Sequence, residues 1–200
     1  AVPLIAHDPY LSIWSCADKL TDDATRHWTN RKHSLTCMVR IDETVFRLMG
    51  DEPKSVPPLP QVKLNVYPTR TVYEFQNEQL SVVLTFLTPA LPDNLDVLSR
   101  PLTYLTWDIR AVDNKPHKVK IYFSNSAELA VDSTAQRVTW SRIADKNLTV
   151  LRIGNSQQPI LRRQGDGTSI DWGYVYTAVN KNIGWGVIAG NDKCTQAFIK

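Results

Sequence analysis

The sequence predicts an all-β fold, an antiparallel β-sandwich with long loops and at most short helical turns. Apolar and polar residues alternate along residues 103–111 and again along 118–123, a pattern typical of half-buried strands. Most prolines fall between the predicted strands, where they interrupt no ladder of hydrogen bonds. No stretch of ten or more residues shows a clear helical period, which argues against a fold with substantial helix.

The two alternating runs define a predicted core. Odd positions of residues 103–111 are mainly apolar and even positions mainly polar, and residues 118–123 repeat this alternation. The turn-forming segment at residues 113–116 predicts that the two runs pair as an antiparallel hairpin. This pairing predicts six side chains in one core: Leu105, Trp107, Ile109, Val119, Ile121 and Phe123.

The other elements follow from the same signals. Residues 80–87 are more uniformly apolar and predict a central strand covered on both faces, with a strand at residues 71–75 before it. Further strands are predicted at residues 35–41, 45–48, 62–67, 136–141, 148–153, 174–179 and 186–189. Short helical segments are predicted at residues 18–27 and 128–132. Residues 194–200 are typical of a strand, and a chain that stops on an apolar strand predicts a piece of a longer protein.

The composition is ordinary for a globular protein, with 42% hydrophobic and 22% charged residues. The length of 200 residues predicts one domain, consisting of an N-terminal loop segment at about residues 1–34 and a sandwich at 35–200. The net charge of +3 is small and the basic residues are scattered, which disfavours a nucleic-acid partner. No apolar run approaches the roughly 18 residues of a membrane span, so no membrane partner is predicted.

Signatures of catalysis and of metal binding are missing from the sequence. The three cysteines form no CxxC motif, and the expectation is three reduced, largely buried thiols. The histidines show neither HxH nor HExxH spacing. No GxSxG or SxxK motif marks a nucleophilic serine. The sequence therefore predicts no catalytic residue and no metal site within this chain.

Two segments near the N-terminus predict a recognition surface. Residues 7–14, HDPYLSIW, and 26–29, RHWT, crowd aromatic and charged groups onto backbone without clear periodicity. The alternative is that their aromatic rings plug the end of a sheet. A Gly-rich turn within residues 165–173 is a second candidate interface. The predicted cleft or interface residues are Asp8, Tyr10, Trp14, Arg26, His27, Trp28, Asp171 and Trp172.

These segments also carry a family resemblance. Together with TCMVRIDETVFRLMG at residues 36–50, RPLTYLTWD at 100–108 and DWGY at 171–174, they resemble, in order, the N-terminal region of the glutaminase A family of large secreted amidohydrolases. Shorter matching blocks are KPH at 115–117, WSR at 140–142 and LRIG at 151–154. The family favours glycine where this chain has Asn30, Cys37 and Glu43. Asparagine tolerates a left-handed conformation, so Asn30 is expected to keep the turn.

The resemblance implies a function for a longer protein. That protein would hydrolyse the side-chain amide of glutamine to glutamate and ammonia, without an organic cofactor. The family's catalytic domain is helical and lies C-terminal to this region. This chain is then expected to be inactive alone, to pack on that domain as its partner, and to lend loops to a shared cleft that binds glutamine. The alternatives are a carbohydrate-binding module, with Tyr10, Trp14 and Trp28 stacking on sugars, or a purely structural sandwich.

Three further expectations accompany this hypothesis. A secreted or periplasmic location is implied, with any signal segment removed before Ala1. A domain of a larger enzyme should expose an apolar patch, expected at the N-terminal loops or around residues 171–172. Arg26 offers a fork of donors suited to a carboxylate on the substrate or on the helical domain. Its competing role is an ion pair within this chain.

Overall fold

The computed structural model describes residues 1–165 and 167–200, which divide into two compact units, Ala1–Ser124 and Asn125–Lys200. The predicted all-β class is confirmed, since strands in four sheets dominate the described residues. The strands are β1 (Val2–Ala6), β2 (Ser12–Ser15), β3 (Arg26–His27), β4 (Leu35–Ile41), β5 (Thr44–Met49), β6 (Gln61–Tyr67), β7 (Arg70–Gln76), β8 (Leu80–Leu87), β9 (Tyr104–Ala111), β10 (Val119–Asn125), β11 (Val138–Ala144), β12 (Leu148–Asn155) and β13 (Val175–Asn180).

Helical structure is short. The α-helices are α1 (Leu95–Leu98) and α2 (Asn191–Ile199), and a 3-10 helix spans Ala127–Ala130. Asn94 starts α1 as its N-cap because its side chain accepts a hydrogen bond from the Val97 amide at 3.1 Å. Among the described residues, every helix falls short of the length and hydropathy that a bilayer span requires.

The first unit holds its core between β-sheets. A four-stranded antiparallel sheet has the order β6-β7-β8-β9, and a three-stranded sheet has the order β10-β4-β5. Alternate residues of β7 and β8 are fully buried, as the period-two rule requires. Trp107 of β9 lies 6.2 Å from Phe123 of β10, measured between ring centroids. The two sheets therefore face each other through aromatic side chains.

Arg47 connects the segments around this core. The side chain is buried and donates hydrogen bonds to three backbone carbonyls, those of Thr21, Gly50 and Val56, each at 2.8 Å. The Arg47 backbone adds a bond to the carbonyl of Pro57 at 2.8 Å. A guanidinium suits this position because it carries five donors in a fixed plane. The residue therefore fixes the connection after β5 against the N-terminal segment.

His117 forms a second link within the first unit. Its Nδ1 lies 2.8 Å from Asp42 Oδ2 and its Nε2 lies 3.0 Å from Asp113 Oδ1. The bonds to Asp42 and then Asp113 raise the pKa of His117, and the bond from His117 lowers the pKa of Asp42. Asp42 also accepts from the Lys118 amide at 2.9 Å. The turn between β4 and β5 is thereby joined to the segment that leads into β10.

In the part of the second unit that the structure describes there is one sheet, β11-β12-β13, with antiparallel pairing throughout. The 3-10 helix contacts β12. Gly154 of β12 is required by close packing, since a Cβ there would lie 2.5 Å from Tyr174 Cδ1 and 2.7 Å from the Gly173 carbonyl oxygen. The Arg152 guanidinium carbon lies 4.5 Å from the Tyr174 ring centroid.

Several element predictions are wrong. Residues 103–111 and 118–123 do not pair as a hairpin, because β9 pairs with β8 and β10 joins the sheet of β4. Residues 194–200 lie largely in helix α2 instead of a strand, and residues 186–189 form no strand. Residues 18–27 form turns that lead into β3 instead of a helix.

Other expectations meet a mixed outcome. The N-terminal segment carries three short paired strands, in the order β1-β2-β3, within the predicted loop region. Asn30 does adopt a left-handed turn, with φ of 69°. The cysteines are all free, but Cys16 is exposed, whereas Cys37 is buried and burial raises its pKa to about 12. The single-domain organisation stays a prediction.

Candidate functional site

The predicted N-terminal residues come together around the carbonyl oxygen of Pro9. His27 Nε2 and Trp28 Nε1 both donate to it, at 2.9 and 2.7 Å. Because a carbonyl only accepts, Nε2 carries the proton of a neutral His27 ring. Asp8 Oδ1 accepts from the amides of Tyr10 and Leu11 at 2.7 and 2.9 Å. We term this network of Asp8, Pro9, Tyr10, His27 and Trp28 the Pro9 knot. Its hydrogen bonds give the irregular backbone of these residues a defined shape.

Two histidine rings make the buried base of the Pro9 knot. The ring centroids of His27 and His33 are 4.9 Å apart, and both residues are almost fully buried. Burial lowers the pKa of His27, and the charge of Arg31 lowers it further, whereas the bond to Pro9 opposes the shift. Burial, with the charges of His27 and Arg31, lowers the pKa of His33 to about 4. Both rings are therefore neutral near pH 7.

The outer surface of the Pro9 knot is aromatic. Trp28 is 56% exposed and Tyr10 is 40% exposed, although the indole nitrogen of Trp28 is fixed by Pro9. Trp14 of β2 is half-buried, and its Nε1 donates to Ser12 at 2.8 Å. A fixed ring with an open face can contact a protein surface or a sugar. Whether these residues form a functional surface stays a prediction.

Arg26 is held by an ion pair within the same unit. Its Nε donates to Asp23 Oδ2 at 3.0 Å, and a terminal nitrogen reaches Asp23 Oδ1 at 3.3 Å. Another terminal nitrogen bonds the Asn30 carbonyl at 3.3 Å. The bond to Arg26 lowers the pKa of Asp23. The structure thus supports the ion-pair role of Arg26 that competes with the role in a cleft.

Asp171 and Trp172 lie in the second unit. The Asp171 carboxylate is buried and accepts from Gln136 and from Nε of Arg163, each at 3.0 Å. Arg163 also bonds Asp132, which accepts from the Ser169 amide at 2.8 Å. Asp171 therefore stabilises its own loop, while Trp172 is half-exposed. Asp166, part of the Gly-rich turn predicted here, lies outside the described residues.

Sequence reasoning missed two features of this region. His33 is absent from the predicted interface residues, although its burial against His27 gives the Pro9 knot its base. The His7 ring contacts the Arg100 carbonyl, beside a pocket of about 70 Å³ lined by Pro89, Val97, Arg100, Leu102 and Tyr104. No group of three or more metal-ligating residues occurs in residues 1–165 and 167–200.

Comparison with known proteins supports a distant relationship to a glutaminase. Glutaminase A of Aspergillus oryzae is 24% identical over 201 residues, which cover 96% of this chain and 29% of that protein. The chain thus spans less than a third of the length of this relative. No solved structure matches the chain.

Two family models match consecutive parts of the sequence. The model of DUF4964, a domain of unknown function, matches residues 1–60, which contain the Pro9 knot. The model of DUF5127, also a domain of unknown function, matches residues 69–200. The chain therefore belongs to the DUF5127 family.

Proposed function

We propose that this chain is a non-catalytic part of a glutaminase-related amide hydrolase. The observation that carries the proposal is the similarity to glutaminase A, which extends over 96% of the chain but only 29% of the relative. In this proposal the remaining polypeptide contains a helical catalytic domain, and the longer protein hydrolyses glutamine to glutamate and ammonia. A secreted or periplasmic location belongs to the same proposal.

The Pro9 knot is the surface we propose for the wall of the glutamine cleft. Trp28 and Tyr10 offer exposed aromatic faces on a backbone that hydrogen bonds fix in place. Fixed aromatic side chains at an interface contribute area while losing little conformational entropy on binding. The ring of the buried, neutral His27 lies 5.6 Å from the Trp28 ring, measured between centroids, and shares the Pro9 carbonyl with it, so His27 is a positioning residue in this proposal.

Substitution of Trp28 in the longer protein tests this role. Trp28→Ala removes the exposed ring, whereas the His27 bond to Pro9 remains. We expect kcat/KM for glutamine to fall by roughly tenfold, equivalent to about 1.4 kcal/mol, with an unchanged melting temperature. Trp140→Ala, at a Trp that is 60% exposed in the second unit, is the matched control. Equal kinetics for Trp28→Ala and wild type would exclude the Pro9 knot from the cleft.

Arg26 needs a different control because it has a partner in its own unit. Arg26→Ala and Asp23→Ala both remove the 3.0 Å ion pair, but only Arg26→Ala removes the guanidinium. If Arg26 binds a carboxylate in the cleft, Arg26→Ala lowers kcat/KM more than Asp23→Ala does. Equal small losses for the two variants would assign Arg26 to the ion pair alone. A carbohydrate-binding or purely structural module predicts that neither variant changes glutamine kinetics.

A further inference from the structure

The segment Trp185 to Ala189 has an unusual backbone. None of its five residues donates or accepts a backbone hydrogen bond with any residue that the structure describes. No described side chain bonds these five residues either. Backbone N–H and C=O groups usually find partners in a folded protein, either in the chain or in water. This segment therefore offers a row of groups that a neighbouring strand could pair.

Exposed and half-buried residues alternate, as in a strand, along residues 183–188, which overlap this segment. Ile183, Trp185 and Val187 are 83%, 78% and 54% exposed. Between them, Gly184 and Gly186 lie against the sheet of the second unit. A Cβ on Gly184 would lie 2.9 Å from Val179 of β13, and one on Gly186 would lie 2.9 Å from Leu151 of β12. One side of residues 183–187 lies on the sheet, and the other side exposes Ile183, Trp185 and Val187.

We propose that Trp185 to Ala189 is the docking edge for a β-strand supplied by the rest of a longer polypeptide. This inference rests on the proposed function, in which the chain is part of such a polypeptide. A strand is the occupant because it alone satisfies a row of main-chain donors and acceptors while placing alternate apolar side chains beside Ile183, Trp185 and Val187. A small ligand or a sugar would leave most of that row unpaired.

The unmatched part of the relative indicates where such a strand would come from. The match covers only 29% of glutaminase A, so more than two thirds of that protein lies outside the matched region. In the described residues, the second unit has one three-stranded sheet. An added strand pairing with Trp185 to Ala189 would begin a second sheet over β12 and β13.

Amide hydrogen exchange measures the proposed pairing directly. In the 200-residue chain we expect the amides of residues 185–189 to exchange within about tenfold of the rate of an unstructured peptide. In the longer polypeptide we expect exchange at alternate amides of this segment to slow by at least about a hundredfold. Fast exchange in both proteins would overturn the proposal. Slow exchange in the 200-residue chain would also overturn it, and a dependence on concentration would assign the edge to a second copy.

Proline variants provide the second readout. Successive N–H groups of a strand point to opposite edges, so Val187→Pro and Ile188→Pro each remove a donor on a different edge. Neither donor is bonded to a described residue in the 200-residue chain, so its melting temperature should change little in both variants. In the longer polypeptide, one of the two variants should lose the protection of neighbouring amides. Retained protection in both variants would contradict the proposal.

Glutamine hydrolysis separates this inference from the proposed function. Protection of residues 185–189 in a longer polypeptide that releases no ammonia from glutamine would remove the proposed activity and leave the docking edge intact. Ammonia release without that protection would support the proposed activity and overturn the docking edge.

Discussion

Substituting Arg47 should be among the most destabilising changes in the first unit. The buried guanidinium donates three hydrogen bonds of 2.8 Å to the carbonyls of Thr21, Gly50 and Val56. Arg47→Met keeps much of the side-chain volume but leaves all three carbonyls without this donor. Hydrogen bonds from a charged group contribute roughly 1.5–3 kcal/mol each, so three independent bonds add up to about 4.5–9 kcal/mol.

Relaxation of the loop and entry of water reduce that loss. We therefore expect Arg47→Met to lower the free energy of unfolding by about 4–6 kcal/mol, a large share of the 5–15 kcal/mol typical of a domain. Arg47→Lys keeps the charge but not the planar fork, so it should fall between Met and wild type.

Urea unfolding followed by tryptophan fluorescence and far-UV circular dichroism measures the change. Arg110→Met is the matched control, because the Arg110 side chain is 77% exposed and its partner Asp108 is also on the surface. The control should unfold at the wild-type midpoint within error, since exposed ion pairs contribute little. An Arg47→Met protein as stable as the Arg110→Met control would refute the reasoning.

Four further outcomes follow from the packing and from the buried rings. Because the folded pKa of His33 is lowered to about 4, the unfolded chain takes up a proton at a higher pH than the folded protein does. About 3 kcal/mol of stability should therefore be lost as the pH falls from 6.5 to 4. His33→Leu should flatten this loss in pH-dependent urea titrations. His117 has a raised folded pKa, so its stabilisation is fully present below pH 6.5 and is lost as the pH rises from 6.5 through the raised folded pKa; a proton NMR titration of His117 below the ordinary pKa would contradict this. Gly154→Ala should cost about 1–3 kcal/mol because its methyl group would meet the Tyr174 ring, and an unchanged thermal midpoint would refute that contact. Trp107→Ala should cost about 3–5 kcal/mol, with a loss near zero arguing against the contact with Phe123.

Local patterns predicted the strands well but not their partners. The alternation along β9 and β10 follows from the period of two between faces, and Trp107 and Phe123 do lie close together. They meet across two sheets, although the short turn at residues 113–116 favoured a hairpin within one sheet. Sequence proximity cannot distinguish these arrangements, because pairing depends on strands far away in the chain, such as β4 and β8.

The C-terminal segment shows how a short apolar run misleads. Residues 194–200 resemble a strand locally, yet α2 begins after Gly190 and carries Asp192 in its first turn.

In the candidate site, the sequence predicted that residues 7–14 and 26–29 act together, and the bonds to Pro9 join them. The shared carbonyl could not be predicted, because every residue has one and only the fold selects which becomes an acceptor.

Ammonia release from glutamine tests the central claim most directly. It should be measured under the same conditions for the longer polypeptide, for that polypeptide without residues 1–200, and for the 200-residue chain alone. We predict that the longer polypeptide releases ammonia and that the 200-residue chain releases none. Ammonia release by the purified 200-residue chain, or its absence from the folded longer polypeptide, would contradict the account.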